Sequence, residues 1–242
     1  MSRGSGKSAK VYMDQYDYSG RTNAIELLID NVLPAVTAPN DLAETLVEAK
    51  LKSSLKLNGF FDGVANQYDQ HTWAAIDGNE HKVGAYPGTL APAGAIGYEL
   101  LARIKDEPRT LEVEGAILLN VTWQGDNIVR STVLYNGAIT ATGAKTGQNV
   151  DASTAGQIYV AVLRVLEVTG AGSITVKVQE SSDNGVGDPY ADLITFDAAT
   201  GISVQRKTVT SATEAYKRIN ISAFSGFTSV TVMVAVGIEK GT

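Results

Sequence analysis

The sequence predicts an all-β protein with one short helix, and three observations support this class. Apolar and polar residues alternate with a period of two in several segments rich in Val, Ile and Thr, which is typical of half-buried antiparallel strands. The 242 residues include 24 Gly and 6 Pro, a composition that suits many tight turns. Apolar residues make up 44% of the chain and charged residues 19%, which provides a core and disfavours disorder.

The N-terminal segment is predicted to begin as a flexible arm over residues 1–10. Alternation over residues 22–29 then predicts a strand. Over residues 30–45, Pro34 and Pro39 interrupt any regular element and favour an extended loop, whereas Asn40-Asp41 could cap a short helix over residues 42–48.

The next segment allows two interpretations. A period-two pattern predicts a long strand that ends near Phe60, whereas helical spacing of leucines would give a single helix over residues 41–55. We favour the strand. Residues 67–76 form the best helix candidate, with a possible buried stripe made of Tyr68, Trp73 and Ile76.

Further strands are predicted along the rest of the chain. In the N-terminal half they cover residues 83–86, 97–105, 110–115, 117–123 and 128–135. Residues 136–157, rich in Gly, Ala, Thr and Ser, are predicted as a linker or as the first edge strand of a second domain. In the last third, alternating residues 159–166 precede a predicted turn at Gly170-Ala171-Gly172. Strands then follow over 174–179 and through Val230 to Val236.

Composition excludes several classes of function. The chain has no Cys, so it can form neither a disulfide nor a thiolate metal site. No apolar run approaches the roughly 20 residues that cross a bilayer, and residues 1–10 lack the apolar core of a signal peptide. Folding in the cytoplasm is therefore expected. The net charge of −6 disfavours tight binding to phosphates of nucleic acids.

Four motifs suggest chemistry, and each has a simpler interpretation that we favour. Gly6-Lys7-Ser8 resembles the end of a phosphate-binding loop but lacks the upstream Gly. The acidic segment 181–189 lacks the terminal Glu of a calcium loop and is predicted as a hairpin turn. His71 and His81 have no evident nucleophile or metal set near them. We therefore expect no catalytic, cofactor-binding or metal-binding residues and no cofactor.

The fourth motif consists of carboxylates that could act as an acid–base pair. These are Asp106, Glu107, Glu112 and Glu114. A charged hairpin end followed by an outward-facing strand is the favoured interpretation.

Lysines on one strand, at positions 50, 52 and 56, predict a basic face. This face is either simply solvated, which protects a sheet from aggregation, or it contacts an acidic neighbouring subunit through the Glu112 and Glu114 face. The sequence leaves both alternatives open.

The order of several short segments resembles the major tail proteins, or tail tube proteins, of long-tailed bacteriophages, in particular those with an extra C-terminal β-sandwich. The resemblance covers roughly residues 11–240. The segments are DYSGRTNAIEL at 17–27, KLNGFFD at 56–62, LYNG at 134–137, TATG at 140–143, VKVQESSD at 176–183 and YADL at 190–193.

The resemblance implies a tail tube domain over residues 11–137, built as a β-barrel or sandwich with a flanking helix near 67–76 and an assembly loop at 30–48. It implies a C-terminal β-sandwich over residues 138–242 on the outer surface. Six copies would close into a ring, and stacked rings would form the tube through which DNA leaves the capsid. If much of the negative charge faced the lumen, DNA would be repelled from the wall and would slide.

The resemblance also implies partners and a location. A tape measure protein would lie inside the tube, terminator and distal tail proteins would cap it, and genomic DNA would pass without specific binding. The C-terminal domain would contact the host surface weakly or not at all, and nothing would insert into a membrane. The protein would belong to the virion tail and would be assembled in the host cytoplasm.

Two other functions are weighed against this one. The first is a phage head or tail decoration protein, which would bind a surface without forming a tube. The second is a polysaccharide hydrolase with a β-sandwich binding module, which would need Glu107 or Glu112 in a catalytic cleft.

Overall fold

The computed structural model describes residues 9–20, 22–31, 51–60, 68–88, 90–110, 117–154 and 156–240. Within these ranges the chain forms one helix and fifteen strands, which confirms the all-β class. The elements are β1 Lys10–Met13, β2 Tyr16–Asp17, β3 Thr22–Asn31, β4 Leu51–Phe60, α1 Tyr68–Ala74, β5 His81–Tyr86, β6 Ile96–Asp106, β7 Arg109–Thr110, β8 Leu118–Gly125, β9 Ile128–Ile139, β10 Gly143–Ala144, β11 Gln148–Asn149, β12 Tyr159–Ser181, β13 Ala191–Thr195, β14 Ser203–Val209 and β15 Tyr216–Lys240.

Most strands predicted in the N-terminal half are confirmed. The predictions at 22–29, 83–86, 97–105, 117–123 and 128–135 correspond to β3, β5, β6, β8 and β9. The strand β4 decides between the two interpretations of the segment before Phe60 in favour of the strand. Residues 1–8, 32–48 and 111–115 lie outside the described residues, and so do most of the predicted arm and loop. Lys10, expected in the arm, begins β1.

The predicted buried stripe of the helix is confirmed at Tyr68 and wrong at its two other positions. The side chains of Trp73 and Ile76 are 63% and 51% exposed, whereas Tyr68 and Thr72 are buried. Thr72 can be buried because its hydroxyl donates to the carbonyl of Tyr68, at 2.9 Å, one turn earlier. The helix therefore buries the face that carries Tyr68 and Thr72, and the side chain of Trp73 lies outside that face.

The described residues divide into two compact units. Unit 1 comprises Met1–Gly20, Lys82–Glu99 and Val129–Glu239, and unit 2 comprises Arg21–His81, Leu100–Ile128 and Lys240–Thr242. These units do not coincide with the predicted domains 11–137 and 138–242, whose division stays a prediction. Among the residues described, no helix has the length and apolarity that a membrane crossing requires.

The centre of unit 1 is a long antiparallel pair formed by β12 and β15. Their register runs from Tyr159↔Ile238 to Ser181↔Tyr216. β14 pairs with the first half of β12 and β13 with its second half, while β9 lies next to β15. A straight ribbon of this length would extend for roughly 70 Å, because each strand residue advances about 3.3 Å.

The predicted turn at Gly170-Ala171-Gly172 is wrong, because the chain bends there without leaving the strand pair. The register between β12 and β15 shifts on both sides of Gly170, and both Gly170 and Gly226 have positive φ, at 94° and 78°. A Cβ on Gly172 would lie 2.0 Å from the carbonyl oxygen of Ser225. Glycine is therefore needed for the bend of a bulged strand and not for a reversal of the chain.

The bulges bring the two halves of the long pair around one core. The β12 residues that belong to this core occupy odd positions before the glycines and even positions after them, because the bulges reverse which side chains face inward. The resulting core includes Tyr159, Leu163, Val165, Ile174, Val176, Val178, Ile219, Ile221, Val232, Val234 and Val236.

The first half of β12 is buried on both faces and not half-buried as predicted. Val160, Val162 and Arg164, on the face opposite the main core, are also at most 2% exposed. Val160 and Val162 pack with Val129 of β9. The continuous apolar run of this segment suits a strand covered on both sides.

Unit 2 is built on an antiparallel sheet in which β4 lies between β3 and β8. β8 also pairs with β7 and with the end of β6. Along β4, Ser53, Leu55 and Leu57 are buried while Lys52 and Lys56 are exposed, so the sheet has one apolar and one polar face. The described strands of this sheet do not close into a barrel.

Candidate assembly interface

Strand β3 forms an edge of the unit 2 sheet. In the described part of the chain it pairs with β4 alone, over its whole length from Thr22↔Gly59 to Asn31↔Leu51. An edge strand of ten residues presents a row of backbone N–H and C=O groups that can pair with another chain. The sheet can therefore be extended at β3.

The side chains of β3 leave this edge open to contact. No residue from Thr22 to Asp30 is buried, and Leu28 and Ile29 are 56% and 48% exposed. Natural edges usually carry prolines, lysines or bulges that prevent pairing. β3 has neither Pro nor Lys, and its register shift lies at its start, between Thr22 and Ala24.

Strand β14 shows what a protected edge looks like in the same chain. Within the described residues it pairs only with β12. Its Lys207 lies 2.7 Å from Asp197 Oδ1, and the Gln205 side chain both accepts from the Asp197 N–H and donates to the Asp197 carbonyl. Side chains of β14 are thus engaged with Asp197 of the same chain, which makes β3 the better candidate for assembly.

The predicted basic face lies on the polar side of the unit 2 sheet, next to β3. Lys52 and Lys56 are exposed there, and their direct cross-strand neighbours are Asp30 and Glu26. Opposite charges at such positions stabilise a strand pair. The charges that β3 and β4 contribute to the described part of this face are therefore balanced. Positions 50, 112 and 114, which the prediction also used, lie outside the described residues.

The opposite face of this sheet is covered by the chain itself. Leu55, Leu57, Val121 and Trp123 have no exposed surface, and the ring of His81 meets Trp123 edge-on, with the ring centroids 5.7 Å apart. The apolar alternation predicted for β8 is thus confirmed for its buried positions.

The two histidines, His71 and His81, lie in different elements of unit 2. His81 Nε2 lies 3.3 Å from Asp77 Oδ1, and burial lowers the pKa of His71. Hydrogen bonds from Asn79 hold the pKa of Asp77 at about 2. His71 lies on α1 and His81 begins β5, and nothing on the described residues adds a nucleophile to them. This arrangement supports packing and turn formation.

The acidic loop between β12 and β13 is a hairpin turn, as predicted. The Asp183 carboxylate accepts hydrogen bonds from the backbone N–H groups of Val186, Gly187 and Asp188. Burial by itself raises the pKa of Asp183, but these hydrogen bonds more than offset this, so that pKa is lowered. Within the described residues no group of His, Asp and Glu could hold a metal ion. Asp183 therefore organises the loop.

The carboxylates considered for hydrolysis do not form a described pair. Asp106 is exposed at the end of β6, and Glu107 follows it, half-buried. Positions 112 and 114 lie outside the described residues.

A buried ion pair in unit 1 was not predicted. Arg164 and Glu99 are 1% and 3% exposed, and two hydrogen bonds join them, one of 2.7 Å between Nη2 and Oε2. Arg164 also donates to the carbonyls of Asp14 and Lys82, at 2.8 and 3.2 Å, and the Tyr86 hydroxyl donates to Glu99. Burial by itself lowers the pKa of Arg164, but the Glu99 carboxylate more than offsets this, so that pKa is raised.

One signal in the sequence could have revealed this pair. Arg164 is the only charged residue in the apolar run YVAVLRVL, which predicts a strand that is covered on both faces. A charged side chain in such a strand is buried only when an opposite charge lies next to it. The network joins the end of β1, β5, β6 and β12, so its role is to fix these strands together.

Comparison of the sequence with protein-family models and with curated proteins gives no match. Among solved structures, the fold is similar to a chain in the virion of a native gene transfer agent particle, with 12% identity, a TM-score of 0.38, and coverage of 51% of this chain and 94% of that chain. A chain in the tail of the empty particle gives 12% identity, a TM-score of 0.37 and coverage of 52% and 94%.

A third similar structure is the Dit protein of SPP1, described as a paradigm of the hub adsorption apparatus in phages that infect Gram-positive bacteria. It has 8% identity, a TM-score of 0.36 and coverage of 96% of this chain and 99% of that chain. These three chains come from gene transfer agent particles and from a phage adsorption apparatus. At such identities and scores, function has to be argued from the residues of this chain.

Proposed function

We propose that this chain is a virion structural protein that assembles into stacked hexameric rings and forms the tail tube of a long-tailed phage. The observation that carries the proposal is the β3 edge, a ten-residue strand whose outer side has no strand partner in the described chain and whose side chains from Thr22 to Asp30 are all at least partly exposed. Pairing this edge with another copy would continue the sheet through main-chain hydrogen bonds.

Such pairing suits a ring better than a pairwise complex. When a strand edge joins a different surface of the next copy, the contact is heterologous, and it closes into a ring if the rotation per copy allows. Stacked rings then make a conduit. The segment order that resembles tail tube proteins supports this choice over a decoration protein, which needs no continuous sheet.

No catalytic role enters the proposal. The charged side chains of Arg164 and Lys217, which are the most deeply buried in unit 1, are each paired with a carboxylate, that of Glu99 or Glu180. A group held in this way has no free position for a substrate. The tape measure protein, terminator and distal tail proteins, and DNA in transit remain the partners that this function requires.

The experiment that tests the proposal is electron microscopy of the purified protein over a range of concentrations. Rings or tubes are expected. Monodisperse trimers would favour the decoration protein instead, and a chain that stays monomeric at every concentration would overturn the proposal.

A variant ties this result to β3. Changing both Leu28 and Ile29 to Lys adds two like charges to an exposed edge and should prevent assembly while the monomer stays folded. Val186→Lys is the matched control, because Val186 is 89% exposed at the β12–β13 hairpin. If the double variant assembles as well as the control, β3 is not the assembly edge.

The proposal extends to the predicted assembly loop at 30–48. Its ordering on contact with the next ring would oppose premature association, because ordering a segment has an entropic cost. Deletion of residues 32–47, which leaves β3 intact, is expected to change the concentration at which tubes form. Unchanged polymerisation would rule this role out.

A further inference from the structure

We propose that the polar face of the β3-β4-β8 sheet is the wall of the tube lumen and that it avoids adhesion to DNA through paired charges. This inference rests on the proposed function and adds the residues that face the DNA. Two grooves lie on this face, one lined by residues that include Asp30, Lys52 and Ser54, and the other by residues that include Lys56, Asn58 and Asn120.

The geometry of a closed sheet selects this face. When a sheet extends through β3 and closes, one face turns inward and the other outward. The apolar face already carries a layer of the chain's own side chains, since Leu57 and Trp123 have no exposed surface. A covering layer needs the longer outer circumference. The bare polar face is therefore the inner one.

The chemistry of the face suits passage of a polyanion. Amide and hydroxyl groups dominate it, at Asn58, Asn120 and Thr122 among others. Lys52 and Lys56 stand opposite Asp30 and Glu26 in the strand register. A lysine beside a carboxylate gains less from a phosphate contact, since that contact must compete with the carboxylate.

This differs from the acidic lumen that the net charge led us to expect. The described part of the face holds three lysines, at 52, 56 and 105, against two carboxylates, at 26 and 30. These five groups sum to a charge of only +1, so DNA is neither strongly repelled nor held. In this proposal, carboxylates next to the lysines limit adhesion of DNA, and a net negative charge on the wall is not required.

Cysteine labelling tests which face lines the lumen, because the natural chain has no Cys and a single introduced thiol is the only target. Ser54→Cys places the thiol on the polar face, and Ser53→Cys places it one residue away on the buried face, where Ser53 is 1% exposed. Assembled tubes and dissociated protein are each treated with a small maleimide and with a polymer-linked maleimide too large to enter a tube.

The expected result is that Ser54→Cys in tubes reacts with the small reagent and loses its reaction with the large one, whereas dissociated Ser54→Cys reacts with both. Ser53→Cys should react with neither in either state. Thr122→Cys, on the same polar face, replaces Ser54→Cys if that variant does not assemble.

Two outcomes overturn the inference while the proposed function stands. If Ser54→Cys in tubes reacts with the large reagent, the polar face is outside. If it reacts with neither reagent in tubes, the face is buried between copies. Absence of rings and tubes from the unmodified protein overturns the proposed function itself, and the inference with it.

Discussion

The ammonium group of Lys217 lies 5.3 Å from the centroid of the Tyr159 ring, although the two residues belong to opposite ends of the β12–β15 ribbon. Lys217 is paired in register with Glu180, near the end of β12, while Tyr159 begins that strand. The contact is possible only because the ribbon folds back on itself at its glycines. Lys217 is fully buried there, 3.1 Å from Glu180 Oε2.

The bend makes Gly172 a position at which even one methyl group should be harmful. Gly172→Ala would place a Cβ 2.0 Å from the Ser225 carbonyl, so the strands must separate. We expect the free energy of unfolding to fall by about 1–3 kcal/mol, as in overpacked cores. Chemical denaturation measures this change.

Gly201→Ala is the control for that experiment. A Cβ at Gly201 meets no atom within 4 Å and the residue has no positive φ, so stability should change by less than about 0.5 kcal/mol. Equal effects at the two positions would contradict the account of the bend.

The buried pair of Arg164 and Glu99 predicts a non-additive response to mutation. Arg164→Leu or Glu99→Leu alone leaves one charge buried without its partner, which should cost about 3–5 kcal/mol. The double variant should lose less than the sum of the two losses, because neither charge remains. A double-mutant cycle of unfolding free energies measures the coupling, and strict additivity would show that the two side chains do not act as a pair.

Much of the fold followed from the periodicity of apolar residues, and each of the two exceptions has its own physical cause. Alternation identified β3, β4 and β8 because each has one apolar and one polar face. It failed at Gly170–Gly172 because a glycine-rich segment fits both a hairpin turn and a bulge within a strand, and the sequence pattern does not distinguish the two. It failed at Trp73 because the face that a short helix buries depends on the neighbouring layer and not on hydrophobicity alone.

The candidate site was less predictable than the fold. The sequence indicated the strand at 22–29 and the lysines at 52 and 56, but whether a strand is an edge depends on pairing between distant segments. The same pairing puts Asp30 and Glu26 opposite those lysines, which turns an apparently basic face into a balanced one. Long-range register, unlike period, cannot be seen in one sequence.

Buried tyrosines predict a loss of stability in alkali. Burial raises the pKa of Tyr12, Tyr86 and Tyr159 well above the value of about 10 that a tyrosine has in an unfolded chain. Above about pH 10 the unfolded chain releases these protons while the folded chain keeps them, so stability falls as the pH rises. Denaturation curves between about pH 8 and 11 measure the slope.

A single hydroxyl can be removed to check this origin. The Tyr159 hydroxyl is buried without a hydrogen-bond partner, so Tyr159→Phe should leave stability at neutral pH nearly unchanged and make the alkaline slope shallower. An unaltered slope would show that other groups cause the loss.

The balanced charges of the polar face predict a specific change in DNA retention by assembled tubes. The double change of Glu26→Gln and Asp30→Asn leaves Lys52 and Lys56 without carboxylates opposite them. Each lysine can then contact a phosphate and release a counterion, so retention of short duplex DNA should rise and should weaken steeply as salt is added. Cosedimentation of fluorescent duplex with tubes over a salt series measures both effects.

The control is the reverse change, Lys52→Gln with Lys56→Gln, which makes the same number of substitutions at the cross-strand neighbours on β4. It should retain no more DNA than the unmodified tube. Equal retention by the two double variants would mean that the carboxylates of β3 do not restrain these lysines, and the DNA would then have to be kept free of the wall by some other part of the chain.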